Sequence, residues 1–112
     1  MEPGPDVRQV RRPALRVTLQ LMLQLAARLG LAHTYRRMRQ FRKAVTAYRA
    51  VVRKSPRNEN AWHLLGITLY RLRQPGEALH ALKKAAALNS KDPTLYRDLG
   101  QVHRKLKQYG PA

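Results

Sequence analysis

The chain has 112 residues, about one domain's worth, and its 44% hydrophobic content is enough for a core. Lys and Arg number 23 against 6 Asp and Glu, a net charge of +17 that leaves little material for paired-acid catalysis or calcium sites. With no cysteine, disulfides, thiolate metal sites and cysteine nucleophiles are excluded.

In chain order, residues 1–12 read as a disordered tail, marked by Pro3-Gly4-Pro5 and the charged pair Arg11-Arg12. A helix is predicted from Pro13 to about Met38. Its leading part, 13–24, would be an N-terminal capping helix or extension, and a break near Leu25 is equally consistent. Residues 14–32 are the most apolar stretch, but Arg16 and Arg28 interrupt it, against both a membrane span and a secretory signal. An arginine-rich transit peptide is the other reading of this segment, opposed by Glu2 and Asp6 at its front. The expected location is cytoplasmic. Further helices are predicted at about 42–54, 60–72, 76–88 and 93–107. Gln74-Pro75-Gly76 and Asn89-Ser90-Lys91-Asp92-Pro93 supply stops and caps between them.

These helices are copies of one another. Ala61-Trp62-His63-Leu64-Leu65-Gly66 recurs as Leu95-Tyr96-Arg97-Asp98-Leu99-Gly100, an offset of 34 residues. One step back, Leu65 falls on Leu31, Gly66 on Ala32, Ala78 on Ala44 and Leu82 on Tyr48. The turns keep the same register, as Arg39-Gln40, Arg73-Gln74 and Lys107-Gln108. Small residues at Gly66, Gly100, Ala44 and Ala78 are expected to let helices approach, with Trp62, Tyr48 and Tyr96 filling the spaces between. Each helix pair leaves an apolar side open, so the units must stack.

The recurring residues resemble the tetratricopeptide repeat, whose pattern runs W-x2-L-G-x2-Y, A-x3-F, P. Trp62, Leu65, Gly66, Ala78 and Leu82 carry it in the middle unit; Leu31, Ala32, Tyr35, Ala44, Tyr48 and Pro56 in the first. Arg28 stands in the first unit's tryptophan position, and Leu69 displaces the second unit's tyrosine to Tyr70. The resemblance implies an all-α fold, a right-handed superhelical stack of antiparallel helix pairs. Repeat 1 would be 25–58, repeat 2 59–92, and 93–112 the first helix of a third repeat, acting as a cap or truncated. Tyr109-Gly110-Pro111-Ala112 reads as a turn toward a further helix. Either the chain is a fragment of a longer array or Tyr96, Gly100 and His103 face another molecule, and self-association or partner-assisted folding through the C-terminal helix is expected.

The resemblance also implies that the first helix of each repeat lines a concave groove. The matching residues are Leu29, His33, Arg36 and Arg37, then Asn60, His63, Ile67, Tyr70 and Arg71, then Thr94, Arg97, Gln101, Arg104 and Lys105. Arg37, Arg71 and Lys105 would form a ladder of cations at the repeat spacing. Such a groove favours an acidic segment of another protein. The carboxylate-clamp mode of the family does not fit, since Leu29, His33, Leu64, Thr94 and Asp98 occupy its positions.

Charge is concentrated: residues 25–58 carry +10, against +2 for 1–24, +2 for 59–92 and +3 for 93–112. The second reading is therefore a general polyanion binder, taking nucleic acid or an anionic membrane surface through the first repeat. Against nucleic acid, Trp62, Tyr48 and Tyr96 of the seven aromatic residues are committed to helix packing by the repeat pattern, leaving few for base stacking. The four histidines lack carboxylates or thiols nearby in sequence, so no metal site is expected. No nucleophile elbow, phosphate loop or dinucleotide fingerprint occurs, so neither catalysis nor a cofactor is expected.

Overall fold

The computed structural model describes residues 7–89 and 91–109, with side chains over 14–89 and 91–108. Five helices follow one another: α1 (Val7–Arg37), α2 (Phe41–Lys54), α3 (Glu59–Arg71), α4 (Pro75–Leu88) and α5 (Pro93–Tyr109). There is no strand among the described residues. α2 and α4 begin and end 34 residues apart, as do the ends of α1 and α3 and the starts of α3 and α5. α1 packs on α2 and α3 on α4. α2 also packs on α3, and α5 packs on α4 and more lightly on α3.

The two tight turns are built alike. Arg39 and Arg73 both adopt φ of 61°, the left-handed conformation that closes a helix. Gln40 N–H donates to the Tyr35 carbonyl at 2.8 Å, and Gln74 N–H to that of Leu69 at 3.0 Å. The longer links also match. Asn58 caps α3, its side chain accepting from Ala61 N–H at 3.1 Å. Thirty-four residues on, Asp92 accepts from the Thr94 N–H at 3.0 Å and the Thr94 hydroxyl at 2.7 Å.

The core repeats too. Ala44, Tyr48 and Val51 of α2, Ala78, Leu82 and Ala85 of α4, and Leu95 and Val102 of α5 are fully or almost fully buried. Gly66 lets α3 approach Leu82 closely. Trp62 is half-buried, and its indole N–H donates to the Pro56 carbonyl at 2.8 Å.

Two expectations are corrected and one pair of alternatives is decided. α1 begins at Val7, inside the stretch read as a tail, and runs through Pro13; residues 1–6 lie outside the described residues. Of the two readings of 13–24, capping helix or extension, the structure has the extension, because every side chain from Ala14 to Gln24 is exposed. It extends beyond the stack, giving a molecule of 77 × 29 × 23 Å. Finally, Gly100 has no packing neighbour within 4 Å of a Cβ position, and Tyr96 is 49% exposed rather than filling a space. The expected turn after Tyr109 lies outside the described residues. No helix among the described residues is long and apolar enough to cross a membrane.

Candidate functional site

The register that stacks α3 beside α5 brings seven of the expected groove residues together. A depression of about 340 Å³ lies between these helices. Ile67, Tyr70 and Arg71 line it from α3, and Arg97, Asp98, Gln101 and Val102 from α5, over Leu82 of α4. Two adjoining hollows share Tyr70. One, of about 290 Å³, adds Arg104, Lys105 and Gln108; the other, of about 230 Å³, adds Arg73 and Pro75. Tyr70, half-buried, is thus shared by three hollows whose walls carry Arg71, Arg73, Arg97, Arg104 and Lys105, with Ile67, Leu82 and Val102 lining the one between α3 and α5. Arg71 and Lys105 of the expected ladder line one hollow together.

The acid in this surface is already engaged. Asp98 Oδ2 lies 2.8 Å from His63 Nε2, and Asp98 Oδ1 lies 3.9 Å from Arg97 Nε. With that carboxylate paired, the surrounding guanidinium groups leave a positive potential for an incoming anion.

The remaining expected residues are elsewhere. His63 is buried rather than lining the groove, and ties α3 to α5 through Asp98. Its Nδ1 is 3.7 Å from Asp92 Oδ2, and ligand atoms of Glu59, His63 and Asp92 lie within 4.8 Å of one another. Hydrogen bonding from Thr94, above all from its hydroxyl, holds the Asp92 carboxyl below the usual carboxylate range. Sequence reading missed Asp98 because it stands 35 residues from His63, and it overlooked Glu59, one helical turn before His63. The repeat period held the clue: neighbouring helices bring residues about one unit apart into contact. Asn60 is exposed in the first turn of α3 and lines none of the three hollows.

α1 contributes nothing to the three hollows around Tyr70. His33 turns to α2, where its Nδ1 and the Tyr48 hydroxyl share a 2.7 Å hydrogen bond. Burial, then the charges of Arg36 and Arg37, lower the His33 pKa. Burial raises that of Tyr48, against the pull of Arg36. The Arg36 Nε is buried without a hydrogen-bond partner, and Arg37 is exposed at the end of α1.

Paired antiparallel helices at a 34-residue period, with a side-chain-lined hollow between successive first helices, define the class as tetratricopeptide-type helical repeats, which are protein–protein interaction modules. The family described as "Anaphase-promoting complex, cyclosome, subunit 3" matches residues 37–112, and the chain belongs to that family. Among relatives, Superkiller complex protein 3 of Mus musculus is 29% identical over 72 residues, covering 64% of this chain and 5% of that protein. Anaphase-promoting complex subunit 3 of Schizosaccharomyces pombe is 25% identical over 80 residues, covering 71% of this chain and 12% of that protein. The chain therefore matches only a small part of each relative's length. A structure of the CopN-Scc3 complex superimposes with a TM-score of 0.73 at 24% identity, over 76% of this chain and 50% of that one. A crystal structure of MamA protein gives 0.71 at 24% identity, over 75% and 46%. These two likenesses are of fold.

Proposed function

We propose that the chain is a non-catalytic adaptor that holds an acidic segment of a partner protein in the hollow between α3 and α5. The observation that carries this reading is the surface around Tyr70, where five cations gather beside Ile67 and Val102 and the carboxylate of Asp98 is already bound by His63. Tyr70, Ile67 and Val102 offer contact area to an apolar side chain of the segment, while Arg71, Arg97 and Arg104 meet its carboxylates. Arginine suits this task because its planar fork pairs carboxylates bidentately.

Fluorescence anisotropy with labelled peptides that alternate acidic and apolar residues tests the proposal. Arg71→Glu and Arg104→Glu are expected to abolish binding, whereas Arg53→Glu on α2 leaves it within about twofold, as for a distant surface change. Binding of acidic peptide, RNA and heparin that is equal for wild type and the two groove variants would overturn it. That result would assign anion binding to the first repeat, where residues 25–58 contain no acid at all.

A further inference from the structure

One face of the first repeat lacks the cover that its copy on the second repeat has. On the second repeat, Val52 of α2 joins Leu65 and Leu69 of α3 and Ala81 of α4 in lining a hollow of about 400 Å³, and Leu65, Leu69 and Ala81 are buried. Subtracting 34 gives Leu31 and Tyr35 of α1 beside Ala47 of α2, and these line an apolar hollow of about 440 Å³. Among the described residues, none stands in the place of Val52 there. Leu31 is accordingly 48% exposed, whereas Leu65 is 3% exposed.

The same subtraction identifies what belongs in the hollow. Arg49, Val52 and Arg53 map onto Leu15, Thr18 and Leu19, in the leading half of α1. The start of α2 at Phe41 maps onto the start of α1 at Val7. This half of α1 therefore holds the register of a second helix from a preceding repeat. α2 hands over to α3 through Ser55-Pro56-Arg57-Asn58, but the matching positions are Leu21-Met22-Leu23-Gln24, good helix formers with no breaker. α1 passes straight through them, so its leading half cannot return to its own chain. Leu15, Leu19 and Leu23 are left 59%, 58% and 69% exposed.

We infer that the open face of the first repeat receives residues 14–20 of a second copy of this chain, reciprocally. Two α1 helices then lie antiparallel about a two-fold axis near Gln24 and Leu25, each placing Leu15 and Leu19 over the other's Leu31, Tyr35 and Ala47. Such an interface is self-complementary and closed. Its chemistry is consistent: the hollow has Arg28 and Lys43 at its edge, and the incoming residues are leucines where α2 has arginines. The inference concerns α1 and α2 and is independent of the anion-binding reading on α3 and α5.

Sedimentation equilibrium of the intact chain at high salt tests it, with circular dichroism to check that each variant stays folded. Wild type is expected to dimerise at micromolar concentration. Leu19→Asp, in the incoming segment, and Ala50→Glu, at an α2 residue that also lines the hollow, should each weaken the dimer roughly tenfold or more. The quadruple variant Leu21→Ser, Met22→Pro, Leu23→Arg, Gln24→Asn supplies the missing turn and should be a monomer with undiminished helix content, its segment folded back on its own hollow. Tyr96→Glu on α5 should leave the dimer unchanged. A wild-type monomer, dissociation by Tyr96→Glu, or a quadruple variant that remains dimeric would each overturn the inference.

Discussion

A methyl group on Gly66 would stand 2.6 Å from Leu82 Cγ and 3.2 Å from the Ala78 carbonyl oxygen. Leu82 is wholly buried and has no room to swing aside. Overpacking of this kind costs about 1–3 kcal/mol, more than the ~1 kcal/mol an alanine gains over glycine in a helix. Gly66→Ala is therefore expected to destabilise the fold by about 1 kcal/mol in urea unfolding. Gly100 holds the same repeat position, but a Cβ there has nothing within 4 Å. Gly100→Ala should instead stabilise by up to ~1 kcal/mol. Changes of the same sign at the two sites would refute the close approach of α3 to α4.

Helix for helix, α1 is held to α2 partly by a titratable pair. His33, half-buried against Tyr48 and near the charges of Arg36 and Arg37, has its pKa lowered from the ordinary 6.5, chiefly by that burial. As pH falls, the unfolded chain takes up this proton before the folded one. Stability contributed here is complete above about 6.5, declines as pH drops from there toward the folded value, and then levels off. Urea midpoints measured between pH 8 and 5 should show this decline in wild type and a flatter profile in His33→Asn. The Tyr48 hydroxyl, raised by burial, keeps its proton throughout that interval.

The elements themselves were largely legible beforehand. Four of the five helices start within one residue of their expected positions, because proline, asparagine and glutamine punctuate the chain at a fixed interval. The start of α1 was misplaced because Pro13 reads as a first-turn residue, yet the helix runs through it. Grouping Ile67, Tyr70, Arg71, Arg97, Gln101, Arg104 and Lys105 rested on the tetratricopeptide resemblance, which sets successive first helices side by side; the repeat register alone does not say which face turns inward. His33 and His63 were misassigned because periodicity places a residue on a helix but does not say which polar partner captures it. Tyr48 captures the first and Asp98 the second.

The whole molecule has a radius of gyration of 18.9 Å, against about 13 Å for a compact domain of 100 residues. It carries +17, so its two proposed contacts should respond to salt in opposite senses. Screening weakens attraction between the cationic hollow and an acidic peptide, but relieves repulsion between two cationic copies. Across a sodium chloride series, peptide affinity should fall while the dimer tightens. Parallel trends in anisotropy and sedimentation would show that one of the two surfaces has been wrongly assigned.

The uninterrupted run through Leu21-Met22-Leu23-Gln24 also has a bearing on how such a protein changes over generations. Four neighbouring codons stand between a rod that reaches outward and a unit that closes on itself. Substitutions there would alter quaternary habit while every residue around Tyr70 stayed as it was, so assembly and ligand preference can drift separately.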